Sequence, residues 1–175
     1  MQFAFRELLG KNVFAPLSSP REILDVGTGS GAWCVEVAHQ FADANVSGLD
    51  LSSIHRNDAP AYCHFIVGNL LEGLKFESEC FDFVHSRCLE LLFITFLIEM
   101  SRLIRASVTK DQWPIYLKEV YRILKPGGWV QCGEFEADVR CDDGSCPEDA
   151  PLFTVTAISF SHLIVSIRNY FGKRK

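Results

Sequence analysis

The stretch Asp25-Val26-Gly27-Thr28-Gly29-Ser30-Gly31 decides the fold of this chain. It follows directly on a short apolar run, Glu22-Ile23-Leu24-Asp25-Val26, that glycines stop, as a buried parallel strand would be stopped. After it, Ala32–Phe41 places Trp33, Val37 and Phe41 four residues apart, the spacing of one helix face. A glycine-rich turn between strand and helix has no Cβ to keep a ligand away from the backbone. It also opens onto the first free N–H groups of the helix, which suit polar or anionic groups. Asp50 closes a second strand, Val46–Asp50, 23 residues beyond Gly27. A carboxylate there can accept hydrogen bonds from both hydroxyls of a ribose. Together these features specify a nucleoside-bearing ligand at the switch point of a sheet.

Working outward, Ala61–Val67 reads as a third strand and Phe81–His85 as a fourth, entered from the acidic loop Glu77–Cys80. Asp111 stands where a helix N-cap belongs, with Pro114 tolerated in the first turn. Trp113, Leu117, Val120 and Leu124 fall on one face of that helix. Lys125-Pro126-Gly127-Gly128 stops it and turns the chain into a fifth strand, Trp129–Phe135. Strands alternating with helices through short links imply an α/β fold, a Rossmann-like doubly wound, mainly parallel sheet.

Composition narrows the function classes. With 175 residues the chain has the length of one domain with a real core. A formal charge of −5 and no stripe of Lys or Arg argue against a nucleic-acid surface. Seven scattered cysteines and no basic-then-apolar start favour free thiols in a reducing compartment, the cytoplasm or nucleus. Cys141 and Cys146 flank a pair of aspartates, but no second close pair of ligands accompanies them, so no metal is expected. Leu91–Ile98 is too short to cross about 30 Å of hydrocarbon, and Leu152–Ile167 is interrupted by serines, threonines and His162. Stable membrane insertion is therefore not expected.

The glycine motif alone leaves two ligand classes open, because Gly27-x-Gly29-x-x-Ala32 also fits the dinucleotide fingerprint of an NAD-dependent oxidoreductase. Three details pull away from that reading: the acid Asp25 before the first glycine, the third glycine Gly31, and the strand after Lys125-Pro126-Gly127-Gly128. This trio resembles the class I S-adenosylmethionine (SAM)-dependent methyltransferases, and within them the fungal LaeA-like (UMTA-type) subgroup. The matching stretches are Ala15-Pro16, Ile23 to Trp33, Gly48-Leu49-Asp50-Leu51-Ser52, Phe81 to Arg87, Leu124 to Trp129 and Glu134-Phe135. They cover about residues 13–88 and 111–138.

The resemblance implies SAM as cofactor and a small-molecule methyl acceptor, in secondary metabolism by family analogy alone. It implies that Asp25, Gly27, Thr28, Gly29 and Gly31 line the methionine end of SAM, that Asp50 holds the ribose and that Leu51 lies against the adenine. Asn69 falls where the family has an acid touching the adenine amine, and an amide oxygen can still accept that bond. His85 follows at the acceptor edge of the sheet and is the first candidate for a general base, with Glu134 the second. Each position also has a plainer reading: Asp25 capping the turn, Asp50 ending a strand, Asn69 as a turn residue, His85 and the three tryptophans as packed core.

Two blocks depart from the pattern. Residues 88–110 insert an apolar stretch, Leu89–Leu103, which reads as one extra helix, and residues 139–175 form an atypical tail. Both read more readily as translated intron or a faulty gene model than as designed variation. The expected layout is an N-terminal helix or linker over 1–20, a SAM-binding domain over 21–138, and that tail. The fold is expected to lack its last strands, which leaves the fifth strand as an open edge and makes a catalytically inactive SAM-binding fragment the competing reading. Val155–Ile158 is the one short pattern able to add a strand there.

Overall fold

The computed structural model describes residues 10–54, 56–87, 108–109, 111–138 and 157–166, the side chains of 134–138 and 157–166 excepted. The run Glu22–Val26 forms β1, buried along nearly its whole length as a strand covered on both faces must be. The other strands of its sheet are β2 (Asn45–Asp50), β3 (Cys63–Val67), β4 (Phe81–Arg87), β5 (Leu124–Asp138) and β6 (Ala157–Ser166). The sheet order is β3-β2-β1-β4-β5-β6. The first five strands are parallel, and β6 runs antiparallel to β5.

One face of the sheet packs Ile23, Val46 and Phe83 against Trp33 and Val37 of α1 (Ala32–Gln40), joined by Val13 and Ala15. The other face packs Leu24, Val26, Val84 and Val130 against Tyr116, Val120 and Ile123 of α2 (Trp113–Ile123). The strand order reverses between β1 and β4, which run parallel, the place where an open α/β sheet leaves a crevice at its carboxyl ends. At the opposite end Asp82 Oδ2 accepts from the N–H groups of Arg21 and Glu22 at 2.8 and 2.9 Å, and its Oδ1 takes Lys125 Nζ at 2.9 Å. One carboxylate thus ties the starts of β1, β4 and β5.

Several expectations change. The N-cap of α2 is Gln112, not Asp111. A turn from Thr109 builds this start: its carbonyl accepts from the N–H groups of Gln112 and Trp113, while Gln112 Oε1 takes the Thr109 N–H at 2.9 Å. Leu124 leaves the helix and pairs with Phe81 as the first residue of β5. Phe83 then pairs with Trp129, so Lys125–Gly128 bulges out, with Gly127 at a φ of 86°. The third strand begins at Cys63 rather than Ala61. The edge of β5 is covered, because residues 157–166 pair with it from Trp129↔Ser166 to Asp138↔Ala157. That strand starts two residues later than the Val155–Ile158 pattern and runs much further. The expected helix over 89–103 and the Cys141/Cys146 pair lie outside the described residues. Among the described residues no helix is long and apolar enough to cross a membrane.

Candidate functional site

The glycine loop closes over the carboxyl ends of β1 and β2. The N–H groups of Gly27 and Thr28 both donate to the Leu49 carbonyl, at 2.8 and 3.1 Å. Gly31 ends the loop as the N-cap of α1 at a φ of 73°, where an added Cβ would stand 2.6 Å from the Phe65 ring. Gly29, at a φ of 59°, is different: a Cβ there would meet nothing within 4 Å. The space over Gly29 is open to a ligand, whereas that beside Gly31 is filled by protein.

Asp50 reaches this opening from the tip of β2. Its Oδ2 accepts the Gly29 N–H at 2.8 Å and its Oδ1 the Ser52 N–H at 3.0 Å. A carboxylate has about four acceptor positions, so both oxygens keep capacity for further donors. Leu51 follows at 41 % exposure, and Val67, opposite Asp50 in the β2–β3 register, is 63 % exposed. Exposed apolar side chains beside a carboxylate at a sheet's carboxyl edge give a flat ring and a sugar adjacent places to bind. Asn69 starts the 3-10 turn Leu70–Glu72, with Oδ1 on the Leu71 N–H at 3.0 Å and Nδ2 on Glu72 at 3.2 Å. It is therefore a turn residue, with one amide-oxygen lone pair left for a ligand.

Beneath the loop lies a buried polar row. Asp25 and His85 are register partners on β1 and β4, 3 % and 2 % exposed, and His85 Nδ1 donates to Asp25 Oδ1 at 2.7 Å. The imidazole stacks on the Trp33 indole at 3.9 Å with 4° between planes. Burial pushes the His85 pKa below its ordinary value, against the pull of Asp25. The other Asp25 oxygen faces Cys34 Sγ at 3.6 Å, and Cys34 in turn lies 3.2 Å from Thr28 Oγ1. Burial, helped by Asp25, holds the Cys34 thiol protonated well above the usual range. Asp25 and Thr28 thus turn their side chains down into the protein, while Gly29, Asp50 and Leu51 face the opening. The backbone of Glu134 falls in β5 opposite Ser161, and its side chain lies outside the described residues.

Two residues of this region gave no signal in the sequence. Gln131, the β5 register partner of His85, accepts the Phe14 N–H at 2.8 Å and donates to the Asn12 carbonyl at 3.1 Å. Arg56, in the loop after β2, donates to the Ser30 carbonyl at 3.2 Å. A hollow of about 240 Å³ between Pro16–Pro20 and Lys125–Trp129 lies at the amino ends of the strands, away from the glycine loop.

Residues 23–128 match the family model of the methyltransferase domain. The chain belongs to that family. The methyltransferase domain is 32 % identical over 139 residues to the secondary metabolism regulator LAE1 of Cochliobolus heterostrophus, covering 78 % of this chain and 39 % of the relative. It is 30 % identical over 149 residues to the methyltransferase pytC of Aspergillus terreus, covering 83 % and 40 %. The chain therefore spans about two fifths of the length of these relatives. A solved SAM-dependent methyltransferase from Mesorhizobium loti superposes with a TM-score of 0.52 at 23 % identity, over 77 % of this chain and 52 % of that one. The fold is that of the Rossmann-like class I methyltransferases, as its LaeA-like motifs imply.

Proposed function

We propose that this methyltransferase domain binds SAM between the glycine loop and Asp50 and transfers its methyl group to a small molecule. The observation that carries the reading is the Asp50 carboxylate held at the mouth of the loop, 2.8 Å from the Gly29 N–H, beside open space. In this reading the loop backbone over Gly27–Gly31 receives the methionine end. Asp50 takes the ribose hydroxyls, and Leu51 and Val67 flank the adenine, with Asn69 at its amine. Asp25 acts from below, where its carboxylate sets the negative potential under the loop.

SAM, when bound, supplies an activated methyl on a sulfonium, which loses its positive charge as the methyl leaves. The protein's part is alignment and exclusion of water, which account for most of such an acceleration. His85 has the protonation state a base needs: burial keeps the ring neutral, and the Asp25 bond on Nδ1 reserves Nε2 as the acceptor. A hydroxyl acceptor would call on His85 first and Glu134 second; a sulfur or an activated nitrogen would need neither. His85, 2 % exposed and stacked on Trp33, could serve only an acceptor that reaches beneath the loop.

A second reading is favoured by the burial of His85, 2 % exposed beneath the loop: a domain that binds SAM without turning it over. Titration calorimetry with SAM, S-adenosylhomocysteine and NADH separates the readings. Binding of the first two and not the third supports the SAM site, and NADH binding alone would sink it. Binding with no demethylated SAM product over a panel of small acceptors would favour the second reading.

A further inference from the structure

A loop of glycines cannot hold its own shape, because each glycine is free to leave its conformer. This loop is fastened on one side by β2, through the Leu49 carbonyl and the Asp50 carboxylate. Its far side, where Ser30 exposes a carbonyl before the first turn of α1, has a different fastening. Arg56, 26 residues on, reaches back from the β2–β3 loop and donates Nη1–H to that carbonyl at 3.2 Å. The rest of the guanidinium fork is engaged by Asp58, with Nε 2.7 Å from Oδ1 and Nη2 on Oδ2. A bidentate fork is planar and directional, so Asp58 aims the remaining Nη1 donor rather than leaving it to sweep through solvent. A surface ion pair by itself contributes little. The informative bond is the third one, which joins the two loops flanking the opening.

We propose that Arg56, aimed by Asp58, is a positioning residue that holds the far side of the glycine loop in its ligand-receiving shape. The inference rests on the SAM reading above. It concerns the methionine end of the ligand, which that reading gives to the loop backbone over Gly27–Gly31, while it gives the ribose to Asp50.

The test uses the full 175-residue chain and two probes, S-adenosylhomocysteine and 5′-methylthioadenosine, which share the nucleoside and differ in the amino-acid end. Arg56→Ala is expected to weaken S-adenosylhomocysteine binding about tenfold, the value of one charge-assisted hydrogen bond, and methylthioadenosine binding by less than about twofold. Arg56→Lys keeps one donor without the fork and should fall between. Asp58→Asn should reproduce part of the loss, and adding it to Arg56→Ala should cost nothing further. Equal losses for both probes would assign Arg56 a general structural role and overturn the proposal, as would unchanged S-adenosylhomocysteine binding. A wild-type chain that binds neither probe would instead overturn the SAM reading, and this inference with it.

Discussion

Among single residues, two glycines of one loop carry different burdens, and substitution separates them. Both sit at positive φ, where an L side chain costs about 1–2 kcal/mol. Gly31→Ala adds a Cβ 2.6 Å from the Phe65 ring, so overpacking joins the strain and the expected loss is about 2–4 kcal/mol of stability. Gly29→Ala meets no protein atom and should lose only the strain, yet it places a methyl in the ligand's space. Urea midpoints should therefore drop further for Gly31→Ala. S-adenosylhomocysteine affinity, compared between the folded variants, should drop further for Gly29→Ala. The buried His85 gives a second residue-level prediction. Its folded-state pKa is depressed by burial, so the unfolded chain takes up a proton near pH 6.5 before the folded one does. Stability is then fully present above that pH. It falls on acidification, by at most about 1.4 kcal/mol per pH unit, until the folded pKa is reached. The carboxylates of Asp82 and Glu119 have lowered pKa values and titrate below this window. Denaturation of the wild type and of His85→Gln at pH 7.5 and 5.5 checks it: the variant is less stable at both, and the difference between the two pH values shrinks.

Among the elements, the segment before β1 is held by side chains rather than by secondary structure. Gln131 clasps it at the Phe14 N–H and the Asn12 carbonyl, and Trp33 Nε1 reaches the same carbonyl at 3.4 Å. Gln131→Leu keeps the volume and removes both bonds, which leaves half-buried polar backbone without those partners. The expected cost is about 1–3 kcal/mol, seen as a lower urea midpoint, with faster hydrogen exchange at the Phe14 amide. Gln131→Glu should restore the Phe14 bond and not the Asn12 one. What the sequence disclosed follows the same division. β1, the glycine loop, α1 and Asp50 were legible because each is specified by its own neighbours: an apolar run, glycines at a turn, an acid at a strand end. Gln131 and Arg56 were not, since their partners are backbone groups 117, 119 and 26 residues away and carry no residue type to read. Leu124 misled for a related reason. Its helical spacing from Val120 is real, but pairing with Phe81 takes it into β5.

On the scale of the molecule, the sheet has one face on α1 and one on α2, and its order places the glycine loop at the reversal between β1 and β4. The exposed question for such a sheet is its edge. Ten residues of β5, Trp129–Asp138, pair with β6. Without β6 they would present a row of free N–H and C=O groups, a template for other chains. Ala157–Ser166 escaped firm recognition because an antiparallel edge strand is specified mainly by its partner. Ending the chain after residue 150 removes that partner and leaves β1–β5, α1, the glycine loop and Asp50 in place. The truncated chain is expected to scatter more light than the full chain at equal concentration, growing with time. Its far-ultraviolet circular dichroism should stay sheet-rich, and S-adenosylhomocysteine affinity measured at low concentration should change by less than about threefold, since the loop and Asp50 lie on the far side of β4. A truncated chain that stays as dispersed as the full one would show that β5 needs no partner. One that loses the ligand while remaining folded would mean that β6 supports the site itself, by fixing the β5 strand on which Gln131 and the His85 register depend.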